Sequence, residues 1–174
     1  MSYGPLPKKV DPRKMAEREV KFKGSAKIAD MPRFASFLVD DSGSIDAEVE
    51  FAKDEQGLRV LSGRMSGSVS MTCQRCLEPV SIALQATLNL AVVLTEEQAE
   101  NLTRSYDPLL METDEIELLP VIEDELILSL PLVPYHNDCS IKTSYGDVET
   151  ARTQDEKPNP FSVLAQLKEK ANKS

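Results

Sequence analysis

The sequence contains no tryptophan, one histidine and three cysteines among its 174 residues. Five phenylalanines and four tyrosines are its remaining aromatic residues, so a surface that reads single-stranded bases by stacking is not expected. A small and odd number of cysteines argues against the disulfide framework of a small secreted protein. No apolar run reaches the ~20 residues of a transmembrane helix, and the first residues lack the apolar stretch of a secretory signal. We therefore expect a cytoplasmic protein without a membrane partner.

Recognisable enzyme motifs are also missing. The seven glycines are scattered, and residues 63–67 lack the Gly-Lys-Ser/Thr ending of a phosphate-binding loop. No Gly-x-Ser-x-Gly nucleophile motif occurs, and a single histidine leaves little for general acid–base catalysis. The sequence therefore favours a protein that is not an enzyme and has no small-molecule substrate.

The net charge of −9 is unevenly distributed. Residues 1–33 carry a net charge of +5 and residues 157–174 a net charge of +3, which leaves −17 for residues 34–156. The basic N-terminal part could contact RNA phosphates, and the acidic middle could repel RNA or bind a basic protein; a solvated acidic surface is the simpler alternative. The candidate RNA- or partner-binding residues are Lys8, Lys9, Arg13, Lys14, Arg18, Lys21, Lys23 and Lys27.

Residues 44–93 show the strongest secondary-structure pattern. Apolar and polar residues alternate with the period of a half-buried strand, and from Val80 to Val92 one face is apolar at seven consecutive positions. A short strand is expected at 58–61, and Gly63 is expected to interrupt it before the next alternating run. Short links between successive strands predict an antiparallel β-meander. The fold class is therefore expected to be α+β, with the meander flanked by short helices.

Capping residues and prolines predict short helices that begin near residues 12, 32, 96 and 120. In the last of these, the acidic residues 123–125 are expected among the exposed positions. Residues 140–158 are polar and indicate a flexible linker. Residues 159–174 then predict an amphipathic C-terminal helix, which either docks on its own domain or on a partner. Residues 1–139 are accordingly expected to form a single α+β domain.

Cys73 and Cys76 form a Cys-x-x-Cys elbow between two predicted strands. His136 and Cys139 repeat the same spacing, and four such ligands match a structural zinc site. Two other interpretations remain open. The thiols of the elbow are reduced structural groups at a turn, or they form a redox pair, although a redox pair belongs at a helix N-terminus and strands are expected here.

Three motifs occur in one order along the chain: CQRCLEP at 73–79, IEDELILSLP at 122–131 and KPNPF at 157–161. Together with Val10-Asp11-Pro12 before a basic helix, they resemble the bacterial YceD family of large ribosomal RNA subunit accumulation proteins over nearly the whole chain. Many relatives in other bacterial lineages carry further cysteines just after the position of Cys139, whereas this chain has none.

The resemblance implies a non-enzymatic cytoplasmic factor needed for the synthesis, processing or stability of 23S ribosomal RNA. Its partners would be large-subunit RNA, the precursor particles of that RNA, or a basic ribosomal protein. An alternative is a protein-only interaction module that escorts a basic ribosomal protein, so that its effect on RNA is secondary.

Overall fold

A six-stranded β-sheet and four short helices make up most of the fold. The structure is a computed structural model that describes residues 2–141, with side chains from Gly4 onward. In chain order, its strands are β1 (Ser2–Tyr3), β2 (Lys9–Val10), β3 (Lys21–Lys27), β4 (Ser44–Lys53), β5 (Arg59–Thr72), β6 (Pro79–Val93), β7 (Asp107–Leu110) and β8 (Ile116–Glu117). The helices are α1 (Pro12–Glu17), α2 (Pro32–Ala35), α3 (Glu96–Glu100) and α4 (Leu118–Leu128), and a 3-10 turn lies at Ile28–Asp30.

The large sheet has the order β1-β3-β4-β5-β6-β7, and β2 pairs with β8 in a separate two-stranded sheet. Strands β3 to β6 are antiparallel neighbours, while β1 and β7 add parallel pairs at the two edges. The predicted meander of β4, β5 and β6 and the α+β class are therefore confirmed. The four short strands β1, β2, β7 and β8 were not predicted.

The long strands follow the alternating pattern of the sequence. In β6, Leu84, Ala86, Leu88 and Leu90 face the core, whereas the residues between them are exposed. Across the β5–β6 ladder, Met65 lies opposite Ala86 on the same buried face. A register shift of one residue would turn this whole face to solvent, so the apolar pattern specifies the pairing.

The expected interruption at Gly63 is wrong, because β5 runs without a break from Arg59 to Thr72. A Cβ atom at Gly63 would lie 2.7 Å from the carbonyl oxygen of Glu48 on the neighbouring strand. The glycine therefore permits the close approach of β4 to β5 and does not end the strand.

The helices contribute apolar side chains to the core on the buried face of the sheet. Phe34 of α2, Phe51 of β4, and Ile122 and Leu126 of α4 are completely buried. Asp11 begins α1 as predicted, since its side chain accepts hydrogen bonds of 3.1 Å from the backbone N–H groups at positions 13 and 14.

The expectation that Glu123 is exposed is wrong. Only 5% of Glu123 is accessible, whereas Asp124 on the same helix is exposed and Glu125 is half-buried. The carboxylate of Glu123 is buried because it has hydrogen-bond donors on α2, and a buried charge requires such partners.

The described residues up to Ser140 form one compact unit. The predicted linker and C-terminal helix lie outside the described residues, except for Ser140 and Ile141, and these domain bounds stay predictions. Within the described part of the chain, no helix has the length and apolar character needed to cross a membrane.

Candidate functional site

The Cys-x-x-Cys elbow forms the tight connection between β5 and β6, as the sequence predicts. The backbone N–H of Cys73 donates to the carbonyl of Glu78 at 2.9 Å, and the N–H of Leu77 donates to the carbonyl of Cys73 at 2.9 Å. Leu77 has φ = +64°, in the left-handed region. These bonds close the turn and direct both thiols to one side, where Cys73 and Cys76 are buried.

The second pair of ligand residues lies in the segment that follows α4. This segment is tied to the elbow by a hydrogen bond of 2.8 Å from the backbone N–H of Gln74 to the carbonyl of Pro134. Pro134 is buried, and His136 and Cys139 follow it. The loop therefore brings residues 136–139 against the elbow, although they are about 60 positions later in the sequence.

One ligand atom from each of Cys73, Cys76, His136 and Cys139 lies within 4.8 Å of all the others. The Sγ atoms of Cys73 and Cys139 are 3.6 Å apart, and Sγ of Cys76 is 3.4 Å from Nδ1 of His136. Around a tetrahedral zinc ion, S···S separations of about 3.8 Å and S···N separations of about 3.5 Å follow from the usual bond lengths. The cluster is therefore compatible with a metal site.

The orientation of the His136 imidazole is also compatible with a metal ligand. Its Nε2 lies 3.1 Å from the carbonyl oxygen of Pro79, which can only accept a hydrogen bond. The proton therefore belongs on Nε2, and the lone pair of Nδ1 faces the thiols. A backbone carbonyl that fixes the second ring nitrogen is the usual outer partner of a metal-bound histidine.

The pKa of the Cys73 thiol is lowered, so this thiol ionises more readily than a free cysteine. Burial opposes its ionisation, but the backbone N–H groups of Cys76, Arg75 and His136 together lower its pKa to about 5. Burial raises the pKa of the Cys139 thiol, and its two cysteine neighbours raise it further. The site thus favours one thiolate and resists a second, unless a cation balances the additional negative charge.

The four residues predicted as ligands are therefore brought together by the fold. The strands β5 and β6 flank the elbow, so no helix N-terminus is present there to activate a redox thiol. Sequence reasoning did not identify the outer contacts of the cluster with Pro79 and with the backbone N–H groups. No residue type signals such contacts, because they come from main-chain atoms.

Comparison with known proteins places this site in a family. The family model described as large ribosomal RNA subunit accumulation protein YceD matches residues 61–168, which include all four cluster residues. A curated relative from Haemophilus influenzae, named large ribosomal RNA subunit accumulation protein YceD, is 36% identical over 169 residues, covering 95% of this chain and 97% of the relative. The chain belongs to the YceD family. No solved structure is significantly similar to it.

The basic residues of this YceD-family chain lie on and beside β2, α1 and β3. Four of the eight predicted residues form ion pairs with acids of the same chain. These pairs are Arg13–Asp114, Lys14–Asp11 (3.0 Å), Lys21–Glu50 (2.8 Å) and Lys23–Glu48 (3.6 Å). Two of them join β3 to β4 at directly opposed positions of the ladder.

The other four basic residues are Lys8, Lys9, Arg18 and Lys27. Their side chains are exposed, and no described residue forms an ion pair with them. Lys21, Lys23 and Lys27 alternate along β3 and therefore share the solvent face of the sheet. The structure thus separates the predicted residues into an ion-paired set and an unpaired set.

Proposed function

We propose that this protein is a non-enzymatic cytoplasmic factor that promotes the accumulation of 23S ribosomal RNA, by acting on large-subunit RNA or its precursor particles. The observation that carries this proposal is the similarity, over 95% of the chain, to a relative named large ribosomal RNA subunit accumulation protein. Synthesis, processing and stability of the RNA are all steps at which such a factor could act.

The proposed RNA contact uses the unpaired basic set. Exposed side chains of Lys8, Lys9, Arg18 and Lys27 offer charge that no acid of the described chain neutralises. Such side chains bind phosphates without reading sequence, and they release counterions, so the affinity falls steeply with salt. The acidic middle of the chain limits binding to unrelated RNA by repulsion.

A structural zinc ion is proposed for the cluster of Cys73, Cys76, His136 and Cys139. Zinc would supply a crosslink of high affinity between the elbow and the loop after α4, and it would balance the thiolate charge. One thiol–thiol and one thiol–imidazole separation agree with a tetrahedral site, and all four ligand atoms lie within 4.8 Å of one another. The ion would hold the outer end of the β5–β6 hairpin rigid.

A non-enzymatic role is supported by the position of the only histidine in the sequence. Its Nδ1 faces the thiol of Cys76 and its Nε2 contacts the carbonyl of Pro79. Both ring nitrogens are therefore engaged, and His136 is not available as a general acid or base.

The second candidate function is that of a protein-only escort for a basic ribosomal protein. The observation that favours it is the internal pairing of half of the predicted basic residues, which reduces the charge available to RNA. Residues 96–125 also contain eleven acids and only Arg104 as a cation. That segment provides charge complementarity to a basic partner.

Gradient fractionation of cell extract tests the proposed function. We expect the protein to co-migrate with large-subunit precursors, and 23S RNA levels to fall when the gene is deleted. Purified protein should also bind large-subunit RNA with an affinity that decreases with salt. Absence from all precursor fractions would contradict the proposed function. RNA binding that begins only after a ribosomal protein is added would favour the escort.

A further inference from the structure

Tyr135 is an exposed aromatic residue beside the cluster. Among the aromatic side chains that the structure describes, only Phe37 and Tyr135 are more than half exposed, each at 53%. Tyr135 directly precedes the cluster residue His136. The guanidinium carbon of Arg75 lies 5.4 Å from the centre of its ring, which is within the range of a cation–π contact.

The guanidinium group of Arg75 is fixed by a second contact. Its Nη1 donates a hydrogen bond of 3.2 Å to the carbonyl oxygen of Cys139. Arg75 also lies in the middle of the Cys-x-x-Cys elbow, whose backbone is closed by hydrogen bonds. The planar cation is therefore held over the face of the aromatic ring on the outside of the cluster, with little side-chain freedom left to lose on binding.

Leu77, in the same elbow, combines backbone strain with exposure. Its φ of +64° lies in a region that favours glycine, yet its side chain is 54% exposed. Burial in the core therefore does not account for a leucine at this position. Strained backbone conformations are concentrated at functional sites, and an exposed apolar side chain suits contact with a partner.

The stretch of sequence that leads into the elbow contains no acid. From Gln56 to Leu77 there is no acidic residue, although residues 34–156 as a whole carry −17. Of its cations, Arg59 lies at the opposite end of β5 and is ion-paired with Glu17. Arg75 is therefore the cation that the elbow itself presents to a phosphate backbone, and Glu78 is the first acid that follows it in the sequence.

We propose that Arg75, Leu77 and Tyr135 form a platform on which an unpaired base of RNA stacks. Guanidinium groups and aromatic rings are the surfaces on which proteins stack single-stranded bases, and the cation also attracts the neighbouring phosphate. The proposal rests on the proposed function, because it names a second surface, besides the unpaired basic set, through which the protein would contact RNA. The low aromatic content of the sequence argued against such a surface, but one fixed tyrosine and one fixed arginine suffice for one base.

The test measures binding of the full chain to a short unstructured oligoribonucleotide and to the same strand with abasic positions. We expect Tyr135→Leu to weaken binding of the natural strand about tenfold and to leave binding of the abasic strand unchanged. Phe37→Leu is the matched control, because Phe37 is equally exposed and no described arginine lies over its ring. It should bind both strands as the wild type does.

Leu77→Gly distinguishes loss of the Leu77 side-chain contact with RNA from loss of protein stability. Glycine relieves the left-handed backbone conformation, so the thermal stability should be equal or higher, while binding of the natural strand should weaken several-fold. Unchanged binding in both Leu77→Gly and Tyr135→Leu would overturn the platform. Equal losses on the natural and abasic strands would also overturn it, since they would show a backbone contact without stacking.

The outcomes also distinguish this proposal from the proposed function. If the wild-type protein co-migrates with large-subunit precursors but the variants bind the oligoribonucleotide normally, only the platform fails. If the protein neither co-migrates nor binds RNA, both proposals fail. If Tyr135→Leu spares RNA binding and weakens binding of a ribosomal protein, the surface is a protein contact and the platform for bases is overturned.

Discussion

The carboxylate of Glu123 accepts a hydrogen bond of 2.9 Å from the backbone N–H of Phe34, a residue 89 positions earlier in the chain. Phe34 lies in the first turn of α2, and Met31, the N-cap residue of this helix, makes no side-chain cap bond. Glu123 therefore caps α2 from α4. The same carboxylate accepts a hydrogen bond of 3.2 Å from Nε of Arg33, so one side chain joins the two helices.

Replacement of Glu123 should destabilise the protein more when it removes the hydrogen-bond acceptor than when it removes only the negative charge. Glu123→Ala leaves the buried N–H of Phe34 without a partner, and we expect a loss of about 2 kcal/mol in the free energy of unfolding. Glu123→Gln retains an oxygen acceptor for that N–H and removes only the charge opposite the exposed Arg33, so the loss should be below about 1 kcal/mol. Urea unfolding measures both.

Asp124→Asn is the matched control for these variants, because Asp124 also pairs with Arg33, at 2.7 Å, but is exposed. Its effect should be close to zero. If Glu123→Gln cost as much as Glu123→Ala, the ion pair with Arg33, and not the cap of α2, would be the main contribution of Glu123.

The metal proposal predicts about one zinc ion per chain in the purified protein. Cys73→Ser should lose the metal and lower the melting temperature, because the crosslink between the elbow and residues 136–139 is lost. Asp138→Asn should retain the metal, since Asp138 lies between two proposed ligands but does not belong to the cluster. Elemental analysis and thermal unfolding with and without a chelator measure these effects.

A protein that contains no zinc, and whose melting temperature does not change with a chelator, would support the interpretation as reduced structural thiols. A Cys73–Cys76 disulfide in the protein isolated under non-reducing conditions would instead support a redox pair. Mass spectrometry after alkylation of free thiols distinguishes these two states.

The division of the basic residues predicts different effects on RNA binding. One variant neutralises all four unpaired residues, Lys8, Lys9, Arg18 and Lys27. Because each phosphate contact contributes about 0.7–0.9 to the slope of log affinity against log salt, this variant should lower the magnitude of the slope by roughly 3. Neutralising the ion-paired set (Arg13, Lys14, Lys21 and Lys23) changes the net charge equally but should reduce the slope less. Titrations at several salt concentrations measure both slopes. Equal slopes in the two variants would show that net charge alone governs binding.

The parts of the fold that could be predicted depend on local patterns. The seven alternating apolar positions from Val80 to Val92 require one buried face, and they predicted β6 over nearly its full length. The clustering of Cys73, Cys76, His136 and Cys139 was predicted as one of three interpretations, because two pairs with the same spacing contain all the cysteines and the only histidine. In both cases the prediction depends on residue types and spacings that are visible in a short stretch of sequence, and not on contacts with residues far away in the chain.

The parts that could not be predicted depend on partners far away in the sequence. Glu123 has the sequence context of an exposed helical acid, and only the N–H of Phe34 on another helix explains its burial. Gly63 resembles a strand breaker until the approach of the Glu48 carbonyl is known. Strand β7 has only four residues and pairs in parallel with β6, so its short pattern carries little information.

Glu125 provides a prediction with a distinct pH dependence. Burial raises the pKa of its carboxyl group above the usual value of 4.5, and the negative charges of Asp107 and Asp124 raise it further. The unfolded chain therefore loses this proton at a lower pH than the folded protein does, and ionisation disfavours folding as the pH rises above about 4.5. Glu125→Gln removes this cost, so the variant should be more stable than the wild type at neutral pH.

The advantage of Glu125→Gln should shrink as the pH falls and should vanish below about pH 4, where the wild-type carboxyl group is protonated in both states. Urea unfolding of the two proteins across this pH range measures the difference directly. Glu112→Gln, a change at an exposed acid, is the control and should show little difference at either end of the range. A stability gain for Glu125→Gln that persisted at low pH would have to come from packing of the amide, because no charge remains there for the substitution to remove.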